Sequence, residues 1–179
     1  LQWKPTREGY LRFLAESRAV YTALEAAVAS DARYAALRAT GLERVASLDA
    51  DIAWFKSEHG LEPPALAEDG PGKTYALMLT ELAANDPPAF ICHFYNVYFA
   101  HTAGGRMIGT KLSDMLLDRK ELQFYQYGGA DHKPLLDAVR SSIDAAADGW
   151  TRDQKDACLN ETAASFRMSG ALLRAIAGG

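Results

Sequence analysis

Nowhere in this 179-residue chain do 18 apolar residues run together, so no segment reads as a membrane-spanning helix. Cysteine is scarce: Cys92 and Cys158 are the only two, too few for a disulfide framework and in no zinc-binding spacing. Both fall within helical patterns and read as buried free thiols of a reducing compartment. Positive charge is not in excess. The net charge is −4, which argues against a general nucleic-acid binder. Strand-type alternation is missing, as are internal repeats, low-complexity segments and any sign of a second domain. No Ser-His-Asp or Cys-His pattern is legible, and no His-Glu-x-x-His occurs. Gly-Pro-Gly-Lys-Thr at 70–74 has neither the spacing of a phosphate-binding loop nor a strand before it, and reads as a turn with a capped helix start. The chain begins at Leu1 rather than Met, a start that reads as processed or truncated.

What is present is helical periodicity. Thr6 is placed to cap a helix carrying Tyr10, Phe13, Leu14, Tyr21, Leu24 and Val28 on one broad face. A short helix is expected near Arg33–Arg38. Leu42, Val45, Leu48, Ile52 and Phe55 mark the next, with Glu43 and Arg44 at its exposed start. Gly60, Pro63, Pro64, Gly70 and Pro71 read as a loop, followed by a helix from Lys73 to about Ala84. Asp86 caps a long helix with Pro87 at its first position, continuing past a glycine-rich stretch to Leu112, Met115 and Leu116. Gly128 and Gly129 break the chain. A helix over 133–146 follows, and Thr151 with Gln154 forms a capping box for a last helix carrying Cys158, Thr162, Phe166 and Leu172. The expected fold is all-α, a single-domain bundle over 1–179 with about seven to nine helices.

The most informative stretch is 90–109, which holds Gly104, Gly105 and Gly109 inside a helical pattern. A glycine within a helix costs about 1 kcal/mol against alanine. Two in succession point either to a neighbouring helix drawn close or to a kink that brings a flat ligand against bare backbone. His101 lies three residues before Gly104 on roughly the same face, where it is able to bond a ligand's water or oxygen species, although a lone histidine more often packs or caps. His93 precedes His101 by eight residues, about 12 Å of helix rise, too far for the pair to hold one metal. No metal site is expected from side-chain spacing. Tyr21, Tyr95 and Tyr98 fit core packing equally well. Arg140 is either a surface charge or a fork for a carboxylate.

The run His93-Phe-Tyr-Asn-Val-Tyr-Phe-Ala-His-Thr-Ala-Gly-Gly-Arg-Met-Ile-Gly109 closely resembles the distal-helix signature of heme oxygenases, specifically the plant and algal plastid type. The likeness extends over Lys4–Leu14, Gly41–Arg44, Asp51–Phe55, Gly72–Tyr75, Glu121–Tyr125 and Trp150–Arg152, essentially the whole chain.

That resemblance implies a multi-helix heme-oxygenase-like bundle with a kinked distal helix. Heme b would be both substrate and cofactor, cleaved with O2 at the α-meso carbon to biliverdin IXα, Fe2+ and CO, for bilin and phytochrome chromophore synthesis. Gly104 and Gly105 match the glycines that flex over the heme, and Ala100 lies on the same helix. His101 matches the position that orders a distal water network, joined by Tyr21. Val97 stands where other branches have an arginine, so the network is expected to be rewired. Tyr95 and Phe166 match pocket aromatics. Arg140 matches the residue that pairs with a propionate, and Lys133 is expected to substitute for a lysine replaced here by Leu136. Electrons would come from ferredoxin, with a bilin reductase downstream, in the chloroplast stroma. No nucleic acid or membrane partner is implied, and a monomer is expected. The family's proximal histidine lies ahead of Lys4-Pro5, and this sequence has no histidine before His59. Two readings follow. Either the helix that bears the proximal histidine is missing from the N-terminal side, which the Met-less start favours, or the chain is a porphyrin-binding module without turnover.

Overall fold

The computed structural model describes residues 3–129 and 131–177. Among these, eight α-helices are found and no strand. Helix α1 (Arg7–Ser30) opens under Thr6, whose hydroxyl accepts from Gly9 N–H at 3.0 Å, satisfying one of the unpaired first-turn donors. Its buried residues Tyr10, Leu14, Ser17, Tyr21, Leu24 and Val28 alternate at spacings of four and three, so one stripe faces the core. A 3-10 turn (Ala32–Leu37) occupies the expected short helix. Helices α2 (Val45–His59), α3 (Pro71–Asn85) and α4 (Pro87–Ala100) follow. Gly60, in the left-handed conformation, closes α2.

Helices α3 and α4 each begin with proline in their first turn, where the missing N–H costs nothing, so α3 starts two residues before the expected Lys73. Asp86 accepts from Ala89 N–H at 3.2 Å as the cap of α4. Every residue from Pro88 to Phe94 is buried, so α4 runs through the middle of the molecule rather than over its surface. At His101–Gly105 the helical ladder widens into a single π-helical turn, then resumes as α5 (Arg106–Leu116). A 3-10 turn at Gln123–Tyr125 precedes α6 (Lys133–Asp148). The capping box at Thr151 and Gln154 forms as expected, but the helix it starts, α7 (Arg152–Asn160), ends at Glu161, and α8 (Thr162–Ala177) is a separate helix. The last helix of the sequence reading is therefore two.

Arg44 also departs from expectation. It is buried, at 5% exposure, rather than standing at an exposed helix start. Its Nε donates to Leu42 O and Glu43 O, its Nη1 donates to Phe124 O at 3.3 Å and to Gln126 O at 2.6 Å, and its guanidinium lies over the Tyr127 ring. Asp51, equally buried, accepts from Gln123 N–H at 2.8 Å and Phe124 N–H at 2.7 Å. Segment 123–126 is thus held by a cation on its carbonyls and an anion on its amides.

Helix α1 packs against α2, α3 and α8, and Gly72 of α3 lies directly against Glu16 of α1. Glu16, buried in α1, accepts from Gly72 N–H at 2.6 Å and places a carboxylate at the positive start of α3. A Cβ at position 72 would stand 2.5 Å from Glu16 O and 2.8 Å from Glu16 Cα, and backbone yields less readily than side chain. Gly72→Ala is expected to lower the denaturation free energy by about 1–3 kcal/mol despite the better helix propensity of alanine. Unchanged urea unfolding would show that α1 and α3 are not in such close contact.

Candidate functional site

The π-helical turn forms one wall of an apolar cleft. Phe13, Ser17, Val20 and Tyr21 of α1 face Val97, Ala100, His101, Gly104, Gly105 and Ile108 of the α4–α5 run. Phe124 forms the floor, and Ser169, Leu172 and Leu173 of α8 form the far side. The cleft has a volume of about 210 Å³ and is open to solvent.

The glycines serve different ends. His101 and Gly105 keep right-handed helical backbone and no residue of 101–105 has a positive φ, so no left-handed conformation demands glycine there. A Cβ on Gly104 would meet nothing within 4 Å, because that position opens onto free space. A Cβ on Gly105 would stand 3.3 Å from His101 Nδ1 and from Ala100 O. A Cβ on Gly109 would run into the Tyr125 ring at 2.5 Å, so this glycine admits a packed aromatic instead.

His101 is buried and contacts the Phe124, Tyr125 and Tyr21 rings. Its Nε2 lies 2.6 Å from Phe124 O. A carbonyl only accepts, so Nε2 carries the proton and donates. Burial lowers the imidazole pKa to about 3, with the nearby Arg44 and Arg106 charges adding to the effect. His101 is thus a neutral ring with a lone pair on Nδ1, turned toward Gly105. Tyr21 is packed edge-on against Tyr98 and Phe124, and burial raises its pKa well above the ordinary value, so its hydroxyl keeps its proton.

A second polar file reaches the cleft from behind. His93 is fully buried; its Nε2 lies 2.7 Å from Glu161 Oε2 and its Nδ1 lies 2.7 Å from the Tyr75 hydroxyl. Burial raises the Tyr75 pKa, and Ser169, which lines the cleft, acts on that hydroxyl in the opposite sense. The carboxylate accepts from Nε2–H, which leaves Nδ1 to accept from the Tyr75 O–H.

Of the sequence candidates, the structure brings together Tyr21, Ala100, His101, Gly104 and Gly105, and with them Val97. Tyr95, Arg140, Phe166 and Lys133 are not in the lining. Tyr95 stacks on Phe99 with 4.0 Å between ring centroids. The Arg140 guanidinium lies 4.6 Å from the Phe99 centroid and donates to Asp137 at 3.2 Å. Phe166 is 60% exposed, one turn from Ser169 along α8. Lys133 is exposed at the start of α6, and Leu136 is buried. Sequence reasoning missed Ser17, Ser169 and the Phe124 carbonyl. It also missed Asp51, whose position on the buried stripe Leu48–Asp51–Phe55 was a usable signal, since a carboxylate there demands partners.

Comparison with known proteins agrees on one family. The family model described as heme oxygenase matches residues 1–175. The protein named heme oxygenase 1, chloroplastic, of Arabidopsis thaliana is 51% identical over 177 residues, covering 98% of this chain and 61% of that protein. The chain thus spans about three fifths of the length of the curated relatives it matches. The Arabidopsis protein named probable inactive heme oxygenase 2, chloroplastic, is 38% identical over 97% of this chain and 58% of that protein. The crystal structure of heme oxygenase 2 from Chlamydomonas reinhardtii without heme superposes with a TM-score of 0.77 at 21% identity, covering 96% of this chain and 83% of that one, a likeness of fold. With the family model matching nearly its whole length, the chain belongs to the heme oxygenase family.

Proposed function

We propose that the protein is a biliverdin-forming heme oxygenase, cleaving heme at the α-meso carbon with O2 and external electrons to give biliverdin IXα, Fe2+ and CO. The observation that carries this reading is the cleft wall itself: bare backbone at Gly104, open to free space, beside a neutral buried imidazole. The apolar lining of Phe13, Val20, Val97, Ile108, Phe124, Leu172 and Leu173, with the bare Gly104 position beside it, suits one face of a flat macrocycle. His101 is the only imidazole among the described lining residues; its Nε2 is taken by Phe124 O, which leaves Nδ1 as its free acceptor. Bound heme supplies the redox-active iron at which O2 reacts.

The protein's own part is binding, water exclusion and proton placement. Ala100, Gly104, Val97 and Ile108 present the flat apolar wall. Arg140, with Tyr95 and Phe99 beneath it, is a fork for a propionate that would compete with Asp137; Lys133 offers a second cation and Phe166 an apolar edge. Within the cleft the Nδ1 of His101 accepts a hydrogen bond and gives no proton, so it orients a water whose other hydrogen is free to donate. The Tyr21 hydroxyl is a donor. Both groups thus organise a water without releasing protons in bulk.

By the same reading, electrons come from reduced ferredoxin and the product passes to a bilin reductase for phytochrome chromophore synthesis. The setting is the chloroplast stroma and the protein acts as a monomer; the chloroplastic names of the relatives support the compartment. Identity of 51% to a relative named as an oxygenase, against 38% to one named probable inactive, supports turnover over mere porphyrin binding.

The protein at its full natural length, given heme, O2 and reduced ferredoxin, is expected to replace the heme absorption with that of biliverdin. Heme that stays bound and unchanged would contradict the proposal. A second test concerns His101. Its folded pKa, about 3, lies below the unfolded value near 6.5, so its contribution to stability is complete above that value. It is lost as pH falls through the window toward 3, because only the unfolded chain takes up the proton. Between pH 7 and 5 the native protein is expected to lose roughly 2 kcal/mol more stability than His101→Gln, by denaturant titration at each pH. Equal losses would mean that His101 is not a neutral buried ring.

A further inference from the structure

Away from the cleft, at the first turn of α2, a hollow of about 420 Å³ opens to solvent. It is bordered by Arg44 and Ser47 from the start of α2, by Lys120, and by Gln123, Gln126 and Tyr127 of the chain that follows it. Its lining carries two cations and, among the described residues, no carboxylate. Neither Arg44 nor Lys120 forms an ion pair among the described residues. The other polar side chains of the wall, hydroxyls and primary amides, are able to donate.

Arg44 is the unusual member. Its guanidinium is buried, and carbonyl oxygens take its Nε and Nη1, yet no hydrogen bond among the described residues uses Nη2. The carboxylates nearby are committed to backbone amides. Glu25 Oε1 accepts from Arg44 N–H and Val45 N–H at 2.6 and 3.1 Å, and Asp51 accepts from Gln123 and Phe124. A buried guanidinium bonded only to dipoles lacks a counter-charge, and an anion beside it would offset part of the cost of burying it. Ser47 stands in the first turn of α2, where backbone N–H groups lack helical partners and the positive end of the helix favours an anion. Lys120 is exposed, with its ammonium 5.8 Å from the Trp54 ring centroid, so a mobile point charge stands at the rim.

Two positive charges match a doubly charged oxyanion better than a single carboxylate, and an arginine fork with a lysine point charge is a pair suited to phosphate. The hollow is larger than a bare phosphate needs, which leaves room for a small organic body. We propose that this hollow is a binding site for a phosphoryl dianion, free or carried on a small phosphomonoester, with Arg44 Nη2 and the Lys120 ammonium on its oxygens. The site is separate from the cleft and does not depend on what the cleft binds. An occupant would share Arg44 with Phe124 O, the acceptor of His101, so the hollow adjoins the segment that orders the cleft.

The test uses the full-length protein without heme, at constant ionic strength, with inorganic phosphate and glycerol 3-phosphate as probes and chloride as the control. Backbone amide resonances of 44–47 and 120–128 are expected to shift and saturate with both probes, the phosphomonoester saturating at the lower concentration. Saturation with inorganic phosphate alone would assign the hollow to the free anion and sustain the proposal. Arg44 also holds the 123–126 turn, so the variant to use is Lys120→Gln, expected to weaken both probes by about fivefold. Arg152→Gln, on α7, is expected to leave them unchanged. Shifts that grow without saturating, that chloride reproduces, or that Lys120→Gln leaves untouched would overturn the proposal.

Discussion

The carbonyl oxygen of Phe124 is the acceptor on which the cleft depends. It takes His101 Nε2–H at 2.6 Å and Arg44 Nη1–H at 3.3 Å, while the Phe124 amide is held by Asp51. An unpaired buried carbonyl or imidazole N–H would cost about 1–3 kcal/mol, so each partner needs the other. The bond does more than stabilise. It fixes which imidazole nitrogen carries the proton, and so turns Nδ1 into an acceptor beside the π-helical turn. Arg44 and Asp51 matter to the site through this node, although neither lines the cleft.

The helix over the cleft is shaped by what its glycines omit. A regular helix with side chains at 104 and 105 would fill the space that a flat ligand needs and crowd the imidazole. The π-helical turn inserts an extra residue in the ladder, and the glycine propensity cost of about 1 kcal/mol each is offset by the buried aromatic core around it. Gly109 belongs to packing rather than to the cleft, since the Tyr125 ring occupies the room its side chain would take. Three glycines within one signature thus serve three different ends: open space at 104, the imidazole at 105 and the Tyr125 ring at 109.

Much of this was legible in the sequence wherever the signal is local and periodic. The Thr6, Asp86 and Thr151 caps, the Pro87 start and the stripe of α1 all follow from residue type and spacing, and the structure has them, whereas Pro71 reads as loop and in fact opens α3. Tyr21, His101, Gly104 and Gly105 share one cleft as the motif led one to expect. The illegible parts are those carried by backbone atoms or by long-range contacts. Phe124 acts through its carbonyl, which every residue possesses. Arg44 looks like a surface charge until a distant turn brings it three carbonyls to satisfy. The break at Glu161 follows no glycine or proline, and its carboxylate reaches back to His93.

The central claim is that the Gly104 backbone forms a wall for a flat ligand. Gly104→Ala tests it most directly, with stability and heme affinity measured on the same full-length protein. The open space at this position predicts that the apo protein gains up to about 1 kcal/mol in denaturation free energy from better helix propensity. Heme affinity should fall by about tenfold, because the new methyl group stands where the ring would lie and overpacking of a fitted contact costs about 1–3 kcal/mol. A variant that is stabilised yet binds heme as tightly as the native protein would contradict the account.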